Sequence, residues 1–177
     1  AISAGMAFVA FCLAASSVYA FNDVLDRDAD RRHPTKRLRP VAAGQITTQQ
    51  ALAVSCLLAV LALLLAQQSH WQTAAWVGLY LGLNLVYSFG LKHVVLLDVF
   101  AIASFFVLRL LAGAAAVAVD PSVWLLLCGG LLALYLGFAK RRHELSARGD
   151  ASATHRSVLA QYSAPFLDQI SSVLLAV

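Results

Sequence analysis

The sequence predicts an all-α, polytopic transmembrane helix bundle, and three observations lead to that fold class. Of its 177 residues, 60% are hydrophobic and only 12% are charged. The mean hydropathy of +0.76 lies far above that of a water-soluble domain. Apolar runs recur at the length of about 20 residues that a helix needs to cross a bilayer, and Lys and Arg gather in alternate polar segments. These features exclude a soluble enzyme, a disordered tail and a nucleic-acid-binding module.

Six apolar runs are the candidate spans. The second and third are joined by the short polar turn 67–70, which predicts a transmembrane hairpin. Asp120 and Pro121 separate the fourth and fifth runs, because this pair stops one helix and starts another. Small residues such as Gly129 and Gly130 would let helix backbones approach closely in lipid. The predicted spans are residues 1–21, 51–66, 71–89, 96–119 and 123–139, with a sixth that begins near residue 165.

The basic residues indicate how these spans are oriented. Twelve of the 13 Lys and Arg residues lie in segments 22–50, 90–95 and 140–164. The alternate segments 67–70 and 120–122 contain none. Under the positive-inside rule the three basic segments face the cytoplasm. Two of them are long for membrane-protein connections, and loops of that size are usually functional.

The strongest chemical signal is an acidic run at the end of the first span. Four oxygen-bearing side chains share one arc of a helical wheel drawn at about 100° per residue, and Asp28 lies on the other side. They are Asn22, Asp23, Asp26 and Asp30. Carboxylates this close repel one another unless a cation lies between them, and Mg²⁺ prefers one or two carboxylates together with substrate phosphates. The run therefore predicts a magnesium site that handles a diphosphate.

A cationic loop follows the acidic run. Lys36, Arg37 and Arg39 stand just before Pro40. Arg as a bidentate fork and Lys as a point charge supply donors for phosphate oxygens that a metal does not cover. Such a loop alone more often signals topology than a site, but beside the aspartates it favours phosphate binding.

Residues 22–44 resemble the first signature of the UbiA superfamily of intramembrane prenyltransferases, in the pattern Asn22-Asp23-x-x-Asp26-x-x-x-Asp30 followed by Lys36-x-x-Arg39-Pro40 and Gly44. The resemblance implies a bundle of about nine helices around a cavity open to the cytoplasm, of which this chain would hold about five to six. It also implies that the aspartates hold Mg²⁺ against a substrate diphosphate. We therefore expect residues 1–177 to form one prenyltransferase-like domain that is incomplete at both ends.

Later stretches look more like one branch of that superfamily, which transfers phosphoribose to decaprenyl phosphate. These stretches are residues 87–92, 98–109, 140–145, 155–159 and 162–169. Aromatic prenyltransferases of the superfamily carry a second Asp-rich motif on the later cytoplasmic loop, where this chain has Lys140, Arg141 and Glu144. A basic cluster with one carboxylate suits direct contact with phosphate groups better than a second metal. The departure favours a lipid monophosphate or a sugar 5-phosphate over a prenyl diphosphate.

Two ionisable residues inside the fourth run indicate a polar cavity. Asp98 and Arg109 lie on one helix face, about 16 Å apart along the axis, so they would line that face without touching. Ionisable residues within spans normally face a bundle interior or an aqueous pocket. An Arg satisfied by backbone carbonyls for packing alone is the alternative. Asn84 and Tyr87 on the third run could hydrogen-bond into the same cavity or simply join helices.

These features favour a Mg²⁺-dependent transferase of the bacterial inner membrane that moves the 5-phosphoribosyl group of phosphoribosyl diphosphate to a decaprenyl-like polyprenyl phosphate. Prenyl transfer from a polyprenyl diphosphate to a small aromatic acceptor is the alternative within the superfamily, and a membrane transporter subunit is the alternative outside it. We expect no nucleic-acid partner, and a homo-oligomer stays open. The candidate catalytic residues are Asn22, Asp23, Asp26 and Asp30, of which the three aspartates bind the metal. The candidate substrate-binding residues are Lys36, Arg39, Tyr87, Lys92, Asp98, Arg109, Lys140, Arg141, Glu144 and Arg156.

Overall fold

The computed structural model describes residues 2–146, 159 and 161–176, and every regular element in this part of the chain is helical. The predicted all-α fold class is thereby confirmed. Two 3₁₀ turns, Lys36–Leu38 and Leu91–His93, lie in connecting segments. The α-helices of the described residues are α1 Ile2–Leu25, α2 Arg27–Arg32, α3 Thr48–Ser69, α4 Trp71–Phe89, α5 Leu97–Ala116, α6 Val123–Ser146 and α7 Ala164–Ala176.

Four helices of the described chain, α1, α3, α5 and α6, are long and apolar enough to cross a membrane. Helix α4 covers the predicted run 71–89 but is not among these four. The predicted break at Asp120 and Pro121 falls between α5 and α6. The apolar runs of the sequence therefore locate the helices, although α4 is less clearly a span by hydropathy than by position.

The polar helix ends reach further than the apolar runs. Helix α3 begins with a capping box, in which Thr47 Oγ1 accepts from Gln50 N at 3.2 Å and Gln50 Oε1 accepts from Thr47 N at 3.0 Å. Helix α6 continues past the predicted end at residue 139 as far as Ser146. The charged residues that follow the apolar run are good helix formers, so the helix does not stop where the hydropathy falls. Lys140, Arg141 and Glu144 therefore lie on α6.

The chain forms two compact units, and the first comprises Ala1–Leu85 and Leu111–Asp120. In this unit α1 packs against α3. Ala14 and Ala62 are fully buried. Ser17 Oγ donates to Ser55 O at 2.8 Å, and Ser55 Oγ donates to Ser17 O at 2.9 Å. Helices associate in lipid through small residues and hydrogen bonds between helices. The packing against α3 therefore fixes the position of α1, whose last turn carries the first residues of the acidic run.

The second unit comprises Val86–Leu110 and Pro121–Val177. A side chain at Gly137 does not fit, because its Cβ would lie 2.6 Å from Val99 Cγ1. A Cβ at Gly129 would lie 3.0 Å from Leu110 Cδ1. Helices α5 and α6 thus approach closely at glycines, as the small residues of the sequence predict. The core beside Val99 consists of Phe138, Leu159, Tyr162 and Leu167.

Candidate functional site

The acidic run lies where α1 passes into α2. Helix α1 ends at Leu25, and Asp26 with φ −91° and ψ 3° precedes the first residue of α2. Asp26 N donates to Asn22 O at 2.8 Å, and Asp30 N donates to Asp26 O at 2.8 Å. These four-residue hydrogen bonds continue the helical path across the junction, so residues spaced by four or seven stay on one side.

Two of the predicted metal ligands meet at one cation. Arg39 Nη1 donates to Asp23 Oδ1 at 3.0 Å and to Asp30 Oδ2 at 2.9 Å. The side chain of Asp30 is 5% exposed, whereas those of Asp23 and Arg39 are 26% and 41% exposed. The sequence prediction placed these three residues in one site, and the structure brings them into direct contact.

Asp28 lies apart from that contact. Its side chain is 74% exposed and accepts from Arg27 Nε at 3.1 Å, with Arg31 Nη1 at 3.9 Å. Both partners are neighbours on α2, so this is a solvated surface pairing of little energetic weight. The two halves of the acidic run therefore differ: one side faces the loop with Arg39, and the other faces away.

The donor set at Arg39 suits a magnesium ion. Among the described residues no group of three or more His, Cys, Asp or Glu side chains could hold a metal ion. Two hard carboxylates nevertheless face a common point that a guanidinium occupies. Mg²⁺ is commonly bound through one or two carboxylates, while water and substrate phosphates fill its remaining positions. Asp23 and Asp30 fit this pattern, and the roles of Asn22 and Asp26 as further members of the site stay predictions.

The loop after α2 is braced from both sides. Arg31 Nε donates to Ala42 O at 3.0 Å, and Gln45 N donates to Pro40 O at 2.9 Å. Gly44 has φ +77°, a left-handed conformation that glycine adopts without strain. The glycine of the motif is therefore explained by the backbone turn that brings the chain back towards α3.

A second charged cluster lies in the other unit, and its members are buried except for Glu144, whose side chain is 30% exposed. Arg141 Nε donates to Asp98 Oδ2 at 2.7 Å, and Arg141 Nη1 donates to Glu144 Oε2 at 2.7 Å. Tyr162 Oη donates to Asp98 Oδ1 at 2.7 Å and accepts from Leu96 N at 2.8 Å. The side chains of Asp98 and Arg141 are 0% and 1% exposed. We call Asp98, Arg141, Glu144 and Tyr162 the buried cluster.

The pKa of Tyr162 follows from these surroundings. Burial raises the pKa of the Tyr162 hydroxyl far above its usual value, and its hydrogen bond to Asp98 raises it further. The hydroxyl therefore keeps its proton and acts as a donor to the carboxylate. Sequence reasoning assigned no role to this tyrosine, because only the fold brings it next to Asp98.

The predicted phosphate contacts of α6 do not form one patch. Arg141 is enclosed and its guanidinium is engaged by two carboxylates, whereas Lys140 is exposed. Arg142 Nε and Nη2 donate to the two oxygens of Asp168 on α7, at 2.7 and 3.3 Å. Burial does not favour direct contact between Arg141 and a substrate, so Lys140 is the predicted phosphate ligand of this helix that the structure leaves accessible.

The sequence predicts that Asp98 and Arg109 both line a polar cavity within the bundle, but only Asp98 is buried, and the role of Arg109 in substrate binding stays a prediction. Arg109 is exposed, and its guanidinium carbon lies 5.4 Å from the ring centre of Phe106. Asp98 and Arg109 share a helix face, but Tyr162 and Arg141 enclose Asp98 only at its own end of α5. A helical wheel shows the face of a residue and not its depth, which explains the difference.

Two further predicted site residues, Tyr87 and Lys92, lie in the second unit. Tyr87 near the end of α4 packs edge to face against Phe105, with ring centres 5.7 Å apart. Lys92 lies in the 3₁₀ turn Leu91–His93. Arg156 lies outside the described residues. The predicted roles of Tyr87 and Lys92 in substrate binding stay predictions.

The sequence of this chain is similar to those of known membrane enzymes. Residues 2–175 match the UbiA prenyltransferase family. The decaprenyl-phosphate phosphoribosyltransferase of Mycolicibacterium smegmatis is 39% identical over 167 residues, which cover 94% of this chain and 52% of that protein. The 4-hydroxybenzoate octaprenyltransferase of a Polaromonas species is 34% identical over 111 residues, 62% of this chain and 39% of that protein. The chain spans about half the length of the phosphoribosyltransferases that it matches.

The fold is also similar to a solved structure. A UbiA homolog from Archaeoglobus fulgidus, bound to DMAPP and Mg²⁺, superposes with a TM-score of 0.80 at 20% identity. The match covers 98% of this chain and 65% of that one. At this identity the likeness shows a shared fold.

Proposed function

This chain belongs to the UbiA prenyltransferase family and is an integral membrane protein, and we propose that it transfers the 5-phosphoribosyl group of phosphoribosyl diphosphate to a polyprenyl phosphate. The observation that carries the proposal is that the carboxylates of Asp23 and Asp30 converge on the guanidinium group of Arg39, in the basic loop that follows α2. Similarity to decaprenyl-phosphate phosphoribosyltransferases, at 36–39% identity, supports the choice of donor and acceptor.

Asp23 and Asp30 are the residues that would hold Mg²⁺, with Asn22 and Asp26 beside them. The ion would neutralise the diphosphate and make it a better leaving group. In support, the UbiA homolog of the same fold is described with Mg²⁺ and DMAPP. Arg39 is 41% exposed, so its guanidinium is accessible to phosphate oxygens as well as to the two carboxylates.

The transfer itself needs little further chemistry from the protein. A phosphate oxygen of the lipid attacks the anomeric carbon of the ribose, the bond from that carbon to the diphosphate breaks, and diphosphate leaves with the bonding electrons. A lipid phosphate is already an anion, so no general base is required. Lys36 and Arg39 would neutralise the leaving diphosphate. The roles of Lys92, Lys140 and Arg156 as further phosphate ligands stay predictions from the sequence.

The buried cluster has a different role in this proposal. Arg141 is enclosed between Asp98 and Glu144, so it acts as a positioning residue for the end of α6 and not as a phosphate ligand. The absence of a second Asp-rich motif at this position of the sequence also favours a donor other than a prenyl diphosphate. Asp98 is accordingly reassigned from the substrate path to the support of α6.

Orientation and location follow the charges of the sequence. The segments that contain the acidic run, Lys92 and Lys140 carry nearly all Lys and Arg residues. The positive-inside rule then puts them on the cytoplasmic side of a bacterial inner membrane, where a soluble sugar diphosphate is available.

A direct assay tests the proposal. Purified protein is incubated with Mg²⁺, polyprenyl phosphate and phosphoribosyl diphosphate labelled in the ribose, and the lipid fraction is counted. We expect label in the lipid that chelation of Mg²⁺ removes. A parallel reaction contains labelled prenyl diphosphate and a small aromatic acid, because the similarity to the octaprenyltransferase makes prenyl transfer the second candidate. Label that reaches only the aromatic acid would overturn the proposal.

A further inference from the structure

His33 lies between the acidic run and the basic loop, and its ring makes an unusual set of contacts. Nδ1 accepts from Thr35 N at 3.2 Å and from Lys36 N at 3.3 Å. Thr35 Oγ1 lies 3.1 Å from the same nitrogen. Three polar atoms, two from Thr35 and one from Lys36, thus lie within hydrogen-bond distance of one ring nitrogen.

These contacts define the state of the ring. A backbone N–H can only donate, so Nδ1 is the acceptor and the proton of the neutral imidazole lies on Nε2. An acceptor that takes the N–H groups two and three residues ahead is the arrangement that Asn, Asp or Ser usually provides at the start of a helical turn. Thr35 is the N-cap residue of the 3₁₀ turn Lys36–Leu38 and makes no side-chain cap hydrogen bond. The ring of His33 takes that place, because it accepts the N–H groups of Thr35 and Lys36.

The 3₁₀ turn Lys36–Leu38 leads directly to Arg39. Leu38 N donates to Thr35 O at 3.3 Å, and Arg39 N donates to Lys36 O at 3.0 Å. On its other side His33 N donates to Asp30 O at 3.1 Å. Hydrogen bonds therefore connect Asp30 to His33 and the turn to Arg39, and the side chain of Arg39 in turn donates to the carboxylate of Asp30.

We propose that His33 is a positioning residue that sets the turn so that Arg39 meets Asp23 and Asp30. Its consequence for catalysis rests on the proposed function, whereas its consequence for the loop does not. The imidazole acts through the backbone N–H groups of Thr35 and Lys36, which it accepts at the start of the turn. A residue that keeps the acceptor should preserve the turn, and a residue that lacks it should release the turn.

Limited proteolysis measures how readily the turn opens, and it needs no substrate of the proposed reaction. Within the turn trypsin cleaves after Lys36 and after Arg37, but it does not cleave after Arg39, because Pro40 follows. We compare the full chain with His33→Ala and His33→Asn, whose amide oxygen can accept the same N–H groups. The rate of cleavage after Arg37, followed by mass spectrometry, should rise about tenfold in His33→Ala, as expected for one or two lost hydrogen bonds. His33→Asn should stay close to the original rate.

His70 provides the matched control. Its Nδ1 also accepts from a backbone N–H two residues ahead, Gln72 N at 3.3 Å, at the far end of α3. His70→Ala should leave cleavage after Arg37 unchanged. Unchanged cleavage in His33→Ala, or equal acceleration in His33→Ala and His33→Asn, would overturn the proposal.

Kinetics separate this proposal from the proposed function. His33→Ala should raise the KM for phosphoribosyl diphosphate about tenfold, with a smaller change in kcat, and His33→Asn should restore it. If the unmodified protein transfers no phosphoribosyl label while the proteolysis follows the expected pattern, the proposed function fails and the role of His33 in the loop stands. If label is transferred but His33→Ala and His33→Asn behave alike in both assays, His33 has no positioning role.

Discussion

Arg39 and Arg141 each lie between two carboxylates, but the two arginines differ in burial. Arg39 contacts Asp23 and Asp30 at 3.0 and 2.9 Å, and its side chain is 41% exposed. Arg141 contacts Asp98 and Glu144 at 2.7 Å each, and its side chain is 1% exposed. Water therefore reaches the guanidinium group of Arg39 but not that of Arg141, although each arginine has one enclosed and one partly exposed partner: Asp30 and Asp98 are 5% and 0% exposed, and Asp23 and Glu144 are 26% and 30% exposed.

The difference in burial determines what each arginine can do. A half-exposed ion pair contributes little to stability and exchanges readily with solvent ions. A buried pair has lost its hydration, so removal of one partner leaves an uncompensated charge. The Arg39 cluster is suited to release its carboxylates to a metal, and the buried cluster is suited to hold α5, α6 and Tyr162 together.

The largest expected effect concerns activity and lies at the Arg39 cluster, which consists of Asp23, Asp30 and Arg39. Asp23→Ala or Asp30→Ala should lower Mg²⁺-dependent phosphoribosyl transfer at least about a hundredfold, the scale for loss of a group that stabilises charge in the reaction. The measurement is the rate of label transfer to lipid at saturating Mg²⁺. Thermal unfolding should change little in Asp23→Ala, since Asp23 and Arg39 are 26% and 41% exposed.

Asp28 is the control for this prediction. It belongs to the same acidic run but is 74% exposed and pairs with Arg27. Asp28→Ala should keep nearly full activity. An equal loss of activity at Asp28 would contradict the division of the acidic run into two sides.

The buried cluster should show the reverse pattern, a large effect on stability. Arg141→Met should lower the free energy of unfolding by about 3–5 kcal/mol, because it leaves Asp98 buried without its cation. The measurement is denaturation in detergent micelles. The double variant Asp98→Ala with Arg141→Met should recover part of the loss, since it removes both charges.

Arg142 is the neighbouring control on α6. It pairs with Asp168 at 2.7 Å, but both side chains are largely solvated. Arg142→Ala should leave the unfolding transition where it is. A loss at Arg142 as large as that at Arg141 would mean that the charge of this helix end matters and not the burial of one pair.

A smaller effect on stability is expected at Tyr162. Tyr162→Phe removes the donor to Asp98 and should lower the free energy of unfolding by about 1–3 kcal/mol. The raised pKa also predicts a pH dependence. Above pH 10, the usual pKa of tyrosine, the unfolded chain releases the phenol proton while the folded chain keeps it, so stability falls as pH rises.

Denaturation at neutral pH and at a pH above 10 measures this effect. The unmodified protein should lose more stability on this change than Tyr162→Phe, which has no phenol proton at this position. An identical alkaline loss in both proteins would contradict the assignment of the hydroxyl as a buried donor.

Much of the fold and part of the site could be predicted from the sequence. Apolar runs and the Asp120-Pro121 pair locate the helices, because membrane spans have a required length and Pro ends them. Local spacing places Asp23 and Asp30 on one side and Asp28 on the other, since they belong to nearly continuous helical turns. These inferences all rest on contacts between residues close in sequence.

What could not be predicted depends on contacts between distant residues. Arg141 and Asp98 are separated by 43 positions, and their pairing changes Arg141 from an expected phosphate ligand to an enclosed group. His33 shows no spacing typical of a ligand, and its role depends on the path of the loop. The difference at Arg109 has the same origin, because periodicity gives a face but not the segments that cover it.

The central claim is that the Arg39 cluster, and not the buried cluster, binds the divalent cation. Mn²⁺ can replace Mg²⁺ as a paramagnetic probe, and its binding to the purified protein with inorganic diphosphate can be measured by electron paramagnetic resonance. We compare Asp23→Asn in the Arg39 cluster with Glu144→Gln in the buried cluster. Our account predicts that Asp23→Asn weakens Mn²⁺ binding at least about tenfold, as for loss of a group that supports a metal site, and that Glu144→Gln leaves it unchanged. Unaltered binding in Asp23→Asn, or an equal loss in Glu144→Gln, would contradict it.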